Sequence, residues 1–298
     1  MPAVNRVVVA VLQALPPGLL WRFARRYVAG VTLAEALKAV RDLTARGPTA
    51  TLDILGEDVS TEAEARADGA AYGEALRAVH RDRLPCSLSV KPTHMGLKLD
   101  RTLCLGVLRT IASEAAGLGN FVRLDMEDAT CTDATLELHQ ALRGEGWPVG
   151  VVLQAYLKRS EADARCLAAT RANVRLCKGI YRESPAIAFQ ERQIIRERFL
   201  VLLEILLGGG AFVGIATHDA WVVREARRLV ARLGLPKEAY EFQMLLGVRE
   251  DLRDRLLDEG ERLQIYVPYG ERWRSYCLRR FRENPRILLN VLTALARR

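Results

Sequence analysis

The chain has 298 residues, 50% hydrophobic and 27% charged, a composition that supports one sizeable α/β core and excludes a disordered or low-complexity architecture. A formal net charge of +8 suits an anionic partner, but arginine is scattered without a basic tail or a recognisable nucleic-acid module, so no nucleic-acid partner is expected. Six cysteines without a CxxC pair and four dispersed histidines give neither a disulfide framework nor metal-ligand spacing, which predicts a cytoplasmic protein with reduced thiols and no metal site.

From the N-terminus, VVVAVLQALPPGLL (Val7 to Leu20) is apolar behind Arg6. Gln13 and the Pro16-Pro17 pair interrupt it, no small-residue cleavage site follows, and it is too short to span a bilayer. It is expected as a helix packed on the rest of the fold, and with two helical segments up to about Arg46 it makes residues 1–47 an N-terminal helical arm. Residues 48–298 then alternate. Short apolar runs stand at TLDIL (51–55), CSLSV (86–90), FVRLD (121–125), VGVVLQ (149–154), NVRLC (173–177), FVGIAT (212–217), YEFQM (240–244) and LQIYV (263–267). Between them the helical period runs through Thr61 to His80, Asp100 to Leu118, Asp133 to Arg143, Ser160 to Arg171, Glu183 to Leu207, Ala220 to Leu233 and Leu246 to Glu259. The glycine run Gly208 to Gly210 precedes a strand and reads as a helix stop rather than a phosphate loop. Last, Ile287 to Arg298 is an amphipathic C-terminal helix that can lie on protein or against the inner face of a membrane.

Eight strands alternating with helices predict parallel βαβ units closed into a (βα)8 TIM-like barrel, with a doubly wound open sheet as the competing arrangement. A barrel places its functional residues at the C-terminal ends of the strands. Polar groups do gather at the predicted ends: Glu57, Lys91, Asp125, Gln154, Arg175 with Lys178, Thr217 with His218, Gln243 and Tyr266. Past the eighth strand, Tyr276, Arg279, Arg280 and Glu283 fall at spacings that share a helix face. Adjacent guanidinium groups there call for a carboxylate or phosphate between them.

The motifs VKPTHMG (90–96), LDMEDAT (124–130), VLQAYLKR (152–159), VRLCKGIYRE (174–183), IATHD (215–219), YEFQMLLG (240–247), IYVPYG (265–270) and LRRFREN (278–284) resemble, in order, those of proline dehydrogenases of the short monofunctional bacterial type. The resemblance runs from about Leu52 to Asn284. Local departures are Pro92, His94, Ile180 where the family usually has a small residue, and Arg182 where an aromatic is common.

Membership implies a distorted barrel, extending over residues 48–298, that binds FAD. It also implies oxidation of L-proline to Δ1-pyrroline-5-carboxylate by hydride transfer to flavin N5, with electrons passed to a membrane quinone and product to a separate pyrroline-5-carboxylate dehydrogenase. By resemblance Arg279, Arg280 and Lys91 clamp the substrate carboxylate, Tyr181 and Tyr266 pack on its ring, and Glu57 and Glu283 hold the arginines, Glu57 as a gate on the first of them. Arg175 faces the flavin N5 edge and Gln154 the isoalloxazine edge. Lys178, Gly179, Ile180, Thr217 and His218 meet the flavin or its arm, and Met126 lines the same cavity. Asp125 and Arg175 are the expected catalytic residues, Asp125 either orienting Lys91 or Arg175, the preferred role, or taking part in proton transfer from the substrate amine. Two other classes stay open: a Schiff-base aldolase using Lys91 or Lys178, and a nonenzymatic anion-binding barrel.

Overall fold

The structure is a computed structural model that describes residues 17–274, 276 and 277. Eight parallel strands close into a ring in sequence order: β1 Thr49–Ile54, β2 Cys86–Val90, β3 Val122–Leu124, β4 Val149–Gln154, β5 Asn173–Cys177, β6 Phe212–Ala216, β7 Tyr240–Leu245 and β8 Leu263–Tyr269. β8 pairs back onto β1 from Thr49↔Gln264 to Ile54↔Tyr269, so the sheet has no free edge. The expected barrel is therefore present.

α-Helices carry the chain between and around the strands. They are α1 Pro17–Ala24, α2 Leu33–Thr44, α3 Glu62–Arg81, α4 Arg101–Gly117, α5 Thr132–Gly144, α6 Ser160–Ala169, α7 Arg192–Gly208, α8 Ala220–Arg232 and α9 Glu250–Asp258. Side-chain caps start several of them, where an oxygen accepts from an otherwise unpaired N–H: Thr32 with Glu35 at α2, Thr61 at α3, Asp100 at α4 and Asp219 at α8. No described helix is long and apolar enough to cross a membrane.

Period-2 geometry sorts the strand residues. Outward positions such as Leu52, Leu88, Leu124, Val151, Val174, Ile215, Phe242 and Ile265 are buried and make the main hydrophobic core with the helices. The alternate positions are polar on most strands: Thr51, Asp53, Ser87, Ser89, Arg123, Arg175, Glu241, Gln243, Gln264 and Tyr266. Lateral register joins them around the ring, as in Asp53↔Ser89, Ser89↔Arg123 and Gln243↔Gln264. The barrel interior is thus a hydrogen-bonded polar layer where such barrels usually stack branched apolar side chains.

Two helices differ from their sequence expectation. The stretch expected as helix from Glu183 begins only at Arg192, because Pro185 steers Ser184 out of the helical region and the chain pairs instead with the loop after β4. Lys158 N donates to Ile187 O (2.9 Å) and Phe189 N to Tyr156 O (2.8 Å). The helix expected from Leu246 begins at Glu250, since Gly247 (φ +71) and Arg249 (φ +49) are left-handed. Tyr266, Gln243 and Arg175 also lie inside their strands rather than at the ends, as β8 runs on to Tyr269 and β7 to Leu245.

The N-terminal segment sits on the C-terminal side of β7 and β8. Ala29 N donates to Pro268 O (2.9 Å), Gly270 N to Gly30 O (3.0 Å), and Arg26 Nε to Gly247 O (3.2 Å). Trp21 stacks edge-on against Trp273 with centroids 4.7 Å apart. Residues 1–16, with most of the apolar run from Val7, and the helix expected at 287–298 lie outside the described residues.

A Cβ at Gly247 would lie 2.0 Å from the Arg26 carbonyl oxygen, whereas one at Gly119 (φ +63) meets nothing within 4 Å. Left-handed alanine costs about 1–2 kcal/mol by itself, or roughly 2–4 °C in a chain of this size. Gly119→Ala should lose about that much in Tm and Gly247→Ala at least twice as much. Equal losses would show that the Arg26 segment is not seated on this loop.

Candidate active site

A cavity of about 390 Å3 opens at the C-terminal ends of the strands, a volume suited to a small molecule. Lys91, Asp125, Met126, Gln154, Arg175, Lys178, Gly179, Ile180, Tyr181, Thr217, His218 and Tyr266, named from the sequence, all line it. Glu57 does not line it but is near enough to act on the charge of Lys91. Arg279, Arg280 and Glu283 lie outside the described residues.

Asp125 organises the floor. Its Oδ1 accepts from Ser89 Oγ (2.6 Å) and Arg175 Nη1 (2.9 Å), its Oδ2 from Tyr266 OH (2.6 Å), and Lys91 Nζ stands 3.9 Å from Oδ2. Burial alone would raise this carboxyl, but Arg175, Lys91 and the two hydroxyl donors outweigh it and hold Asp125 below the ordinary carboxylate range. An ionised, four-partnered carboxylate of this kind is placed to hold Ser89, Arg175, Tyr266 and Lys91 around one point. Lys91 is tied more closely to Asp53, Nζ to Oδ1 2.5 Å. Burial pulls the lysine down, Asp53 and Asp125 pull it up, and the acids prevail. Burial raises Asp53 and lifts the Tyr266 phenol far above its usual value, so Tyr266 remains a neutral donor.

Arg175 is fixed on three sides. Nε donates to Gln243 Oε1 (2.6 Å), Nη1 to Ser89 and Asp125 (2.9 Å each), and its guanidinium lies 5.0 Å from the Tyr266 ring centre. Among the described residues its Nη2 is buried without a hydrogen-bond partner.

At the other end of the cavity Asp219 caps α8 and gathers cations: Lys178 Nζ at 3.1 Å, Arg192 Nη2 at 3.4 Å, and Arg196 through Nε at 2.8 Å. Gly179 (φ +101) lies so close to Tyr156 that a Cβ would come within 2.1 Å of the ring, which keeps this turn beside Lys178 side-chain-free. His218 Nε2 accepts from Leu245 N (2.9 Å), fixing the ring against the end of β7.

Sequence reasoning assigned no role to Asp53, Ser89, Glu127, Arg192, Asp219 or Gln243. Tyr276, noted only for its helix face, also lines the cavity. Glu127, Asp219 and Gln243 stood inside motifs already singled out, Asp53 and Ser89 were signalled by polar residues at alternate strand positions, and Arg192, at the start of α7, carried no such signal. Glu127 is 4% exposed and accepts from Thr93 N (2.9 Å) and Thr93 Oγ1 (2.6 Å), while its carbonyl accepts from Gln154 Nε2 (2.7 Å).

Burial raises Glu127 to about 7, against the Thr93 hydrogen bonds that lower it. An acid whose folded value is raised binds its proton more tightly when folded. Its contribution to stability is therefore fullest below about 4.5 and is lost as pH rises through about 7. The loss amounts to roughly 3 kcal/mol at about 1.4 kcal/mol per pH unit. Glu127→Gln should flatten the fall in Tm between those pH values relative to wild type. Parallel Tm profiles would return Glu127 to an ordinary carboxylate.

The proline dehydrogenase family profile matches residues 36–289. Proline dehydrogenase 1 of Bacillus subtilis subsp. natto is 37% identical over 275 residues, covering 92% of this chain and 91% of that protein. Proline dehydrogenase of Deinococcus radiodurans is 36% identical over 272 residues, covering 90% and 88%. Among solved structures, proline utilization A from Bdellovibrio bacteriovorus, inactivated by N-propargylglycine, superposes with a TM-score of 0.82 at 25% identity over 88% of this chain. A variant of proline utilization A from Bradyrhizobium japonicum gives 0.73 over 90% of it, a likeness of fold alone at 22% identity. The chain spans only 32% of each of those longer proteins. With the profile match over most of its length and relatives above one-third identity over about nine-tenths of both chains, the chain belongs to the proline dehydrogenase family.

Proposed function

We propose that the chain catalyses the first step of proline catabolism, oxidising L-proline to Δ1-pyrroline-5-carboxylate with FAD, and that a membrane quinone receives the electrons. The observation that carries this reading is Arg175, which lines the cavity, is held on three sides and, among the described residues, keeps Nη2 buried without a partner. A donor fixed in that way calls for an acceptor that the described residues do not supply. The rest of the cavity fits the same group, with cations at the Asp219 end for a pyrophosphate and Gln154, Thr217 and His218 between. When bound, FAD supplies the acceptor for the hydride that leaves the ring carbon beside the proline nitrogen.

The chain's own residues divide the remaining work. Arg175 directs a positive charge at the cofactor. Asp125 holds Arg175, Lys91 and the Tyr266 hydroxyl in one arrangement, and Tyr181 and Tyr266 pack on the substrate ring. Arg279 and Arg280 clamp the substrate carboxylate with Glu57 and Glu283 as their acidic partners, and Lys91 adds its field. Met126, Lys178, Gly179 and Ile180 complete the cofactor wall. Residues 1–47 serve as an arm on a catalytic unit of residues 48–298. The product passes to a separate pyrroline-5-carboxylate dehydrogenase, and the cytoplasmic protein meets its quinone at the inner face of the membrane.

The aldolase reading fares worse on one observation. A Schiff base needs a neutral amine, and Lys91 is held as ammonium by Asp53 and Asp125. Lys178 is likewise engaged by Asp219.

Purified protein should show flavin absorbance that L-proline bleaches at mildly alkaline pH, where more of the amine is neutral. A colourless preparation that gains no proline-dependent dye reduction on adding FAD overturns the reading. Arg175→Met should lower kcat about 10- to 100-fold, equivalent to a charge-assisted hydrogen bond of about 1.5–3 kcal/mol, and leave the Kd of a carboxylate analogue of proline within about threefold. Arg280→Met should do the reverse, raising KM by a similar factor with flavin retained. Steady-state kinetics and inhibitor titration separate the two, and an unchanged kcat in Arg175→Met removes that residue from the reaction.

A further inference from the structure

Arg175 Nη1 already has two acceptors, but anchors at one nitrogen leave the guanidinium plane free to swing about it. The bond that stops the swing is at Nε, to Gln243 Oε1 at 2.6 Å. A glutamine amide presents an acceptor on one side and a donor on the other, and its surroundings decide which faces where. On the far side of Gln243 stands Glu241, a buried carboxylate that can only accept when ionised, with Oε1 2.7 Å from Gln243 Nε2. Gln264 Oε1 is a second acceptor for the same nitrogen at 3.1 Å. The amide nitrogen is therefore committed to these two, and the amide oxygen to Arg175.

Room for this arrangement comes from β6. Gly214 stands in register between Arg175 and Glu241. A Cβ there would lie 2.4 Å from Gln243 Nε2 and 2.6 Å from its Cδ. Four neighbouring strands thus combine to hold one side-chain amide, which is 4% exposed and takes no part in the roles assigned above.

We infer that Gln243, oriented by Glu241 and admitted by Gly214, is the positioning residue that holds the Arg175 guanidinium in place at the cofactor cavity and thereby sets how readily the bound flavin is reduced. The inference rests on the proposed function, in that it requires FAD in the cavity. Glu241 and Gly214 act through Gln243, and Gln243 through Arg175.

The test is a potentiometric titration of the FAD-loaded wild type beside Gln243→Met, Gly214→Ala and Glu241→Gln, with Tm and kcat recorded for each. Gln243→Met should disfavour flavin reduction about tenfold, a midpoint about 30 mV more negative, and lower kcat to match. Gly214→Ala, which removes no polar atom, should shift the midpoint the same way by displacing the amide. Glu241→Gln, closest in shape to wild type, should shift it less but with the same sign. Midpoints equal to wild type in flavin-loaded variants, whatever happens to Tm, would make Gln243 a filler of the barrel and overturn the inference while leaving the proposed function intact. Should the first two variants fail to fold, an unmoved midpoint in Glu241→Gln has the same force. A wild type that takes up no FAD overturns the proposed function and this inference together.

Discussion

A carboxylate placed inside a barrel, away from bulk water, must be surrounded by cations and hydroxyl donors or it will not stay charged. Asp125 is that carboxylate. The desolvation cost of such a group is several kcal/mol, and removing one partner of a buried pair typically costs about 3–5 kcal/mol. Ser89 and Tyr266 therefore come from β2 and β8, Lys91 from the end of β2, and Arg175 from β5, each drawn to one point. Once Arg175 is inside, it needs Gln243, and Gln243 needs Glu241 and Gln264. The polar interior is the chain of obligations that one buried charge creates. Hydrophobic stabilisation is displaced to the outer strand faces and the helices, where the large apolar core is found.

The charges of the floor also balance. Asp53 and Asp125 oppose Lys91 and Arg175, two against two. A site that is neutral before an acid arrives offers that acid little net attraction, so a substrate carboxylate needs cations beyond these four groups. On the proposed reading they are Arg279 and Arg280. That separation has a chemical merit: the groups that define the cavity floor need not rearrange when the substrate charge enters, because they are already partnered.

The strand count, the closed architecture and most of the cavity lining were legible in the sequence, because parallel strands buried on both sides print as short apolar runs with polar ends. Asp53, Ser89 and Glu241 were not recognised, although their signal was present as polar residues at alternate positions in TLDI, CSLSV and YEFQ. The expected helix over Glu183 to Leu207 failed for a different reason. Its period was acceptable, but Pro185 and pairing with the loop after β4 decided the backbone of residues 183–191. Asp219, inside IATHD, is both a helix cap and an ion-pair hub, and the second role depends on cations that only the fold brings together.

Closure of the ring by β1 and β8 has a consequence for how the chain is made. Thr49 pairs with Gln264 and Ile54 with Tyr269, so the first strand to leave the ribosome waits for the last before its second edge is covered. Until then β1 presents unpaired backbone groups on that side, the kind of edge that recruits other chains. The residues that seat the N-terminal segment, Pro268 and Gly270, belong to the same late stretch. Synthesis order thus makes completion of β8 the step that both seals the sheet and gives the first helix its place, and contacts this distant in sequence are slow to form because loop closure precedes their reward.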